Sequence, residues 1–313
     1  MKVDVLVISS IYDFSTDLVV QELEKRKVSY FRLNKENFSD YRVTIDMQNK
    51  LLEILVDENS YIVSETTKSV YYRQPIFLRN TPSQALSIDE QLIRSQWMGF
   101  LRSLTIFDKA KWLNPPESTY LGETKAYQLS IAREIGFNIP STLIGNNAAR
   151  FKELGSKLII KSLDTILLKE DNDCLFTYST VKNSDDLNDG NVAAAPFTAQ
   201  EYIKPKIDVR VTVIGKVIHA VKITKAGVGI EEDWRTVDRE KIEYTDIMLP
   251  NEIEQYCFDL LSRLKLHFGA IDLIIRNDEY IFIEINPTGE WGWLTSNERK
   301  FDKYIADWLQ ESK

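Results

Sequence analysis

The segment GAIDLIIRNDEYIFIEINPTG, residues 269–289, decides the fold of this chain. Two apolar stretches flank polar residues 277–279, which is the pattern of a β-hairpin. A three-residue loop would place Asp272 directly opposite Glu284, on the face that also carries Asn286. A loop of two or four residues would instead place the two carboxylates on opposite faces.

Two opposed carboxylates need a physical reason to lie together. Directly opposed side chains have Cβ atoms about 4.5–5.5 Å apart, and like charges at that spacing repel. A cation between the carboxylates would remove this cost. Two carboxylates and an Asn carbonyl are hard oxygen ligands that suit Mg²⁺. The hairpin therefore indicates either a magnesium site or a solvated amphipathic face, with three isoleucines on the opposite face: Ile281, Ile283 and Ile285.

Magnesium sites of this kind usually include phosphate groups, so cationic side chains are the next candidates. Lys125 begins a predicted helix, where the helix dipole adds positive potential, and Lys161 ends an apolar strand. Arg210 lies in an Asp-Val-Arg strand, Lys222 lies in a neighbouring strand, and Arg235 ends an Asp-Trp-Arg sequence. Each alone is more often a surface charge, but the ordered set favours a phosphate site.

Composition narrows the function classes. The 313 residues are 43% hydrophobic, which is enough for packed cores in two or three domains. The formal charge is 39 − 47 = −8, which argues against a general nucleic-acid binder, and no apolar run approaches the roughly 20 residues of a membrane span. Two cysteines suit a reducing cytoplasm. Two histidines leave little material for a His-rich metal site or a Ser-His-Asp triad.

The order of predicted elements divides the chain into an N-terminal domain (1–114), a central domain (115–190) and a C-terminal domain (191–313). The first domain begins with a Rossmann-like β-α-β unit over residues 3–33, without the G-x-G-x-x-G sequence of dinucleotide binders. An Asn-Pro-Pro sequence at 114–116 marks the first boundary. Alternating strands and helices indicate the α/β (α+β) class.

Together these residues resemble the ATP-grasp superfamily, over about residues 114–288. The resemblance implies an ATP-grasp fold with the N-terminal Rossmann-like unit as its pre-grasp domain, and ATP and Mg²⁺ as cofactors. It implies that Lys125 and Lys161 hold the nucleotide phosphates and that Asp208 contacts the ribose. The hinge that receives adenine would be Gln200, Glu201, Tyr202 and Ile203. The metal ligands would be Asp272, Glu284 and Asn286.

The catalytic assignment rests on the same resemblance. The sequence Asp-Trp-Arg at 233–235 is similar to the Asp-Phe-Arg of ribosomal-protein glutamate ligases, whose Arg reaches the transferred phosphate. We expect Arg210 and Arg235, with Lys222, to stabilise the transferring phosphoryl group and the acyl phosphate. A general base is not identifiable.

Two segments resemble the peptide maturases of the microviridin and graspetide type: Tyr-Tyr-Arg-Gln-Pro at 71–75 and Glu-Ile-Asn-Pro-Thr-Gly-Glu-Trp-Gly-Trp at 284–293. Such enzymes join Ser, Thr or Lys side chains of a precursor peptide to its Asp or Glu side chains. This sequence departs from the family at Leu294-Thr295, where an acidic residue is expected. The alternatives are an amino-acid (glutamate) ligase that adds residues to a protein or small molecule, and a non-catalytic nucleotide-binding partner.

The expected partner is a ribosomally made precursor peptide with a leader. Neither nucleic acid nor a membrane is an expected partner, and a homodimer is possible. A peptide with acidic groups could dock on Arg73 and on Arg94 of the predicted helix 89–107, because these residues lie outside the ATP motifs. For Trp291, the sequence supports a contact with the substrate and packing in the core equally.

Overall fold

The structure is a computed structural model that describes residues 1–73, 86–164, 167–170, 173–176, 179–231 and 233–311. Gln74 and Pro75 of the proposed peptide-maturase motif lie outside these residues. Helices and sheets are combined in layers, as the α/β prediction requires.

The N-terminal domain is built on a parallel sheet. Its elements are β1 (Val5–Ser9), α1 (Phe14–Lys25), β2 (Tyr30–Asn34), β3 (Arg42–Asp46), β4 (Leu51–Val56), β5 (Asn59–Val63), β6 (Ser69–Tyr72), α2 (Ile88–Ser103) and β7 (Lys111–Leu113). The parallel sheet has the order β2-β1-β6-β7, and β3-β4-β5 form a separate antiparallel sheet. Every residue of β1 is buried, which is typical of a central parallel strand. The predicted Rossmann-like unit is confirmed.

Helix α2 differs from its prediction. A capping box between Ser87 and Glu90 starts it, and it ends at Ser103, four residues before the predicted end. Leu92 and Ile93, in its first half, are 56% and 55% exposed. The helix is anchored instead by its second half, where Leu101 is buried.

The central region has its own antiparallel sheet. Its elements are α3 (Pro116–Glu123), α4 (Lys125–Ile135), β8 (Thr142–Gly145), α5 (Ala148–Phe151), β9 (Lys157–Lys161), β10 (Leu167–Glu170), β11 (Asp173–Phe176), β12 (Thr180–Asn183), α6 (Asp189–Val192) and β13 (Phe197–Glu201). The sheet order is β12-β9-β13-β8. Because β13 pairs with both β8 and β9, this sheet continues through Glu201, past the predicted boundary at residue 190.

The C-terminal region has a larger antiparallel sheet. Its elements are β14 (Ile207–Ile214), β15 (Val217–Lys225), β16 (Val228–Gly229), β17 (Glu243–Ile247), α7 (Asn251–Leu264), β18 (Phe268–Arg276), β19 (Glu279–Asn286) and α8 (Phe301–Gln310). The sheet order is β16-β15-β14-β18-β19, with β17 also paired to β15. Helices α4 and α7 pack together in the core on one face of this sheet, and α8 packs on the other face, where Ile214, Val221 and Phe268 contact it. None of the described helices is both long and apolar enough to cross a membrane.

Candidate active site

The hairpin of β18 and β19 brings Asp272 and Glu284 together through a turn and a bulge that the sequence did not predict. Its turn has two residues, Asn277 and Asp278, whose φ angles of 51° and 65° suit a type I′ turn. A two-residue turn in a regular hairpin would put the carboxylates on opposite faces. The register shifts between Asp272 and Leu273, however, so Ile283 is an extra, bulged residue, and Asp272 lies opposite Glu284. The predicted pairing is confirmed, and the predicted three-residue loop is wrong.

The bulge also changes which isoleucines share a face. Ile281 and Ile283 pack with Ile203 on the side of the carboxylates, whereas Ile285 lies in the core with α7. The prediction that Ile281, Ile283 and Ile285 face the same way is therefore wrong for Ile285. One face of the hairpin consequently carries both charged ligand candidates and an apolar surface.

Each carboxylate has a cationic partner. Arg210 donates from Nε to Asp272 Oδ1 at 2.7 Å, and Lys125 donates from Nζ to Glu284 Oε2 at 3.0 Å. Asn286 donates from its side-chain amide to Glu284 Oε1 at 3.4 Å. The two cations offset the repulsion between the opposed carboxylates when no metal is bound.

The surroundings shift the two carboxyl pKa values in opposite directions. Burial raises the pKa of Asp272, and neighbouring Glu284 adds to this, although Arg210 opposes it. Burial also opposes ionisation of Glu284, but Lys125 and Lys161 hold the pKa of that carboxyl well below its usual range. Glu284 is thus the permanently charged member of the pair.

The donor set fits Mg²⁺. It consists of Asp272 on β18, Glu284 directly opposite on β19, and the Asn286 amide two residues along β19, which are the hard oxygen donors that Mg²⁺ takes. No group of three or more His, Cys, Asp or Glu side chains able to hold a metal occurs among the described residues. Coordination by two protein carboxylates, completed by phosphates and water, is the usual arrangement for Mg²⁺.

Asp272 and Glu284 line a cleft between the central and C-terminal sheets. The cleft has about 800 Å³ of space, partly open to solvent. Lys161 and Arg235 line it together with Asp272 and Glu284. Its apolar lining is supplied by Pro140, Ile159, Val181, Ile203, Ile274 and Ile283. The lining of the cleft therefore combines charged and apolar side chains.

Lys161 is the last residue of β9, and it lines the cleft near Glu284 and Asp272. Burial lowers the pKa of Lys161, and the neighbouring Lys125 lowers it further, although Glu284 opposes both. An ammonium group held in these surroundings would gain from an anionic ligand.

The predicted hinge borders the cleft. All four of its residues line it, and they form the end of β13 and the segment after it: Gln200, Glu201, Tyr202 and Ile203. Gln200 is buried and donates to the Thr142 hydroxyl at 3.0 Å, and the Glu201 amide donates to the Ser141 carbonyl at 3.0 Å. The hinge is thus held to the segment beside it.

Asp208 and Arg235 occupy the remaining charged wall. Lys206 donates to Asp208 at 2.5 Å, and burial raises the pKa of that carboxyl. Arg235 donates from Nε and Nη2 to the two oxygens of Asp233, both at 2.8 Å. Sequence reasoning missed Lys206; its signal was a Lys two residues before an Asp on one strand face.

The structure does not bring Lys222 into the site. Lys222 shares a strand face with Ala220, which packs in the core beneath the sheet, whereas Arg210 faces the cleft. Lys222 pairs with Val209, the residue before Arg210, and successive residues of a strand point to opposite faces. Lys222 and Arg210 therefore lie on opposite faces of the sheet. Lys222 is therefore withdrawn as a catalytic candidate.

Two of the three predicted substrate residues are buried. The Arg73 side chain is 6% exposed, with Nε donating to Asp13 at 2.8 Å and Nη2 lying 3.7 Å from Glu290. Trp291 is fully buried in the core that joins the N- and C-terminal domains, so the core-packing alternative holds for it. Arg94 lies on α2 and is not among the described residues that line the cleft.

Comparisons with known proteins give the same picture for the whole chain. No protein-family model and no curated protein matches it. Among solved structures, it is similar to a RiPP-associated ATP-grasp ligase from Chryseobacterium gregarium in complex with ADP and a leader and core peptide. The TM-score is 0.83 and the identity 28%, covering 98% of this chain and 96% of that chain.

Two further structures share the fold at lower identity. Macrocyclase MdnC from Microcystis aeruginosa, bound with precursor peptide MdnA, gives a TM-score of 0.84 at 24% identity, covering 99% of each chain. ATP-grasp ligase PsnB, complexed with minimal precursor, Mg and ADP, gives a TM-score of 0.70 at 17% identity, covering 98% of this chain and 97% of that chain. The fold, the cleft and these likenesses agree: the chain has the ATP-grasp fold and is similar over nearly its whole length to a RiPP-associated ATP-grasp ligase.

Proposed function

We propose that this ligase activates Asp or Glu side chains of a ribosomal precursor peptide and joins them to Ser, Thr or Lys side chains of the same peptide. The products are macrocyclic esters or amides. One observation carries the proposal: the opposed carboxylates Asp272 and Glu284 line a cleft with apolar residues and lie among the cations Lys125, Lys161 and Arg235.

ATP is the nucleotide that this cleft suits. Its adenine would lie against apolar side chains that include Ile203 and Ile274, beside the backbone groups of the hinge. Asp208, which also lines the cleft, would accept from the ribose hydroxyls. Lys125 and Lys161 bind the phosphates, because both ammonium groups already lie beside Glu284, where charge from a nucleotide would arrive.

Asp272, Glu284 and Asn286 would hold Mg²⁺, which when bound supplies neutralisation of the phosphate charge. The chain's own cations contribute in the same way. Arg210 fixes Asp272 in the orientation seen here, and Arg235 presents a planar guanidinium that can bind two oxygens of a phosphoryl group at once.

The reaction then proceeds in two balanced steps. A peptide carboxylate oxygen attacks the γ-phosphorus, the bond to the β-phosphate oxygen breaks, and ADP leaves. The hydroxyl or amine of the second side chain attacks the acyl carbon and loses its proton, and phosphate leaves. Such chemistry depends on positioning and on charge stabilisation, which Arg210 and Arg235 provide.

The peptide substrate is supported by the structural relatives. One of them is in complex with ADP and a leader and core peptide, and another is bound with a precursor peptide. Both likenesses cover nearly the full length of this chain. The amino-acid ligase alternative shares the ATP site but finds no such support among these relatives.

The test is mass spectrometry on a candidate precursor encoded beside this protein's gene, rich in Thr, Ser or Lys and in Asp or Glu. We expect the peptide to lose one water per bond formed, with one ATP converted to ADP and phosphate each time. The Lys161→Met variant serves as the inactive control. A gain of amino-acid residues would establish the alternative ligase, and an absence of ATP turnover would exclude catalysis.

A further inference from the structure

The strand that carries two of the metal-ligand candidates lies at the edge of its sheet. Within the described part of the chain, β19 pairs along its length with β18 alone. An edge strand leaves a row of backbone N–H and C=O groups without sheet partners, and buried groups of that kind are costly unless another donor or acceptor reaches them. The Phe282 amide meets this need by donating to the Asn138 carbonyl at 2.8 Å.

Gln128 meets the same need at Ile285, the residue between Glu284 and Asn286. Its Oε1 accepts from the Ile285 amide at 2.7 Å, and its Nε2 donates to the Ile285 carbonyl at 3.3 Å. The same Nε2 donates to the Gly122 carbonyl at 2.9 Å. With only 2% of its surface exposed, Gln128 uses its side-chain amide as a neighbouring strand would use its backbone.

Asn114 holds the chain on the other side of Asn286. Its Nδ2 donates to the Pro287 carbonyl at 2.9 Å and to the Phe268 carbonyl at 2.8 Å. Its Oδ1 accepts from the amides of His267 and Phe268, at 2.6 and 3.0 Å. Asn114 is 1% exposed, so these bonds form without competition from water.

We propose that Gln128 and Asn114 are positioning residues that fix Glu284 and Asn286 in the geometry for Mg²⁺ without touching the metal. The inference rests on the metal assignment of the proposed function. Gln128 lies three residues after Lys125 on α4, so both side chains lie on one side of the helix. Its bonds to Ile285 therefore also set the approach of Lys125 to Glu284.

The test measures metal affinity directly and needs no peptide. Mn²⁺ binding to the full chain in the presence of ADP is followed by electron paramagnetic resonance, with Asp272→Asn as the reference for loss of the site. Gln128→Met keeps the length of the side chain and removes its hydrogen bonds. We expect it to weaken Mn²⁺ binding about 10-fold or more, the range typical of residues that orient metal ligands. ADP binding in the presence of EDTA should stay unchanged.

Two further variants separate positioning from stability. Gln128→Glu keeps an acceptor for the Ile285 amide, and we expect a smaller loss than for Gln128→Met. Thr119→Val removes a buried hydroxyl that donates to the Pro115 carbonyl at 3.0 Å and not to a backbone group of β19. It should lower the unfolding midpoint and leave Mn²⁺ affinity intact.

The outcomes are distinct. Wild-type Mn²⁺ affinity in a folded Gln128→Glu or Gln128→Met protein overturns the positioning role, if Asp272→Asn has lost the metal. Equal Mn²⁺ binding by wild type and Asp272→Asn would instead remove the metal site itself, and with it this part of the proposed function.

Discussion

Asp272 and Glu284 lie directly opposite each other because Ile283 is an extra residue in β19. The bulge compensates for the two-residue turn and returns Glu284 to the face of Asp272. It also turns Ile283 into the cleft, beside the carboxylate that follows it. The bulge therefore places an apolar side chain, Ile283, and a charged one, Glu284, next to each other in the lining of the cleft.

The first prediction concerns the charge of this pair. Asp272→Asn keeps an oxygen that accepts from Arg210 but removes a metal ligand, so we expect ATP turnover with peptide to fall on the order of 100-fold or more. Burial and Glu284 raise the pKa of Asp272, so removing its charge relieves a cost, whereas Arg210 loses its carboxylate partner; because the two effects oppose each other, we expect the unfolding temperature to change little. Normal turnover by this variant, with Mg²⁺ varied, would show that the metal assignment is wrong.

The hinge gives the second prediction. The Glu201 side chain lies half-buried at the end of β13, whereas Tyr202 is expected to meet adenine chiefly through its backbone. Glu201→Ala should therefore weaken ATP binding more than Tyr202→Ala does. Calorimetry with ATP measures both, and equal, full-strength binding would move adenine away from this segment.

The third prediction separates nucleotide binding from phosphoryl transfer. Arg235→Lys removes the planar fork that now binds both oxygens of Asp233, and an ammonium group cannot replace it. We expect kcat to fall at least about 10-fold while the KM for ATP changes little. Arg239→Lys, an exposed position on the next short helix, is the matched control. Equal kcat in the two variants would contradict a catalytic role for Arg235.

The fourth prediction follows from the strand faces. Lys222→Met should leave turnover unchanged, because Lys222 shares the face of Ala220 in the core and not the face of the cleft. Arg210→Met, on the cleft side of the neighbouring strand, should lose turnover and leave Asp272 without its guanidinium. A loss of turnover in Lys222→Met with an unchanged unfolding midpoint would return Lys222 to the site.

Local pattern predicted the hairpin, the opposed carboxylates and Lys161 at the end of its strand, because each depends on strand alternation over a few residues. The bulge at Ile283 escaped prediction, since no local sequence signal distinguishes it from a three-residue loop. Lys222 was misplaced because strand register decides its face. Arg73 was assigned to docking because its partners Asp13 and Gly289 lie 60 and 216 residues away in sequence. Trp291 was left open between core packing and substrate contact because its partner Tyr71 lies 220 residues away.

The fifth prediction replaces peptide docking by Arg73 with a structural role. Arg73 joins Asp13, which begins α1, to the loop after the metal ligands, where it donates to the Gly289 carbonyl at 3.4 Å. Removing one partner of a buried ion pair leaves the other charge without compensation. We therefore expect Arg73→Ala to lower the free energy of unfolding by about 3 kcal/mol at neutral pH.

The dependence on pH gives this prediction its control. Burial opposes ionisation of Asp13, but Arg73 lowers the pKa of that carboxyl below the ordinary 3.8. The pair therefore stabilises the fold above pH 3.8, and its contribution is lost as the pH falls below that value. The difference between wild type and Arg73→Ala should shrink over the same range. Asp13→Asn keeps the cap on α1, and combining it with Arg73→Ala should cost less than the two single changes together. An unchanged free energy of unfolding with a raised peptide KM in Arg73→Ala would instead restore the docking role.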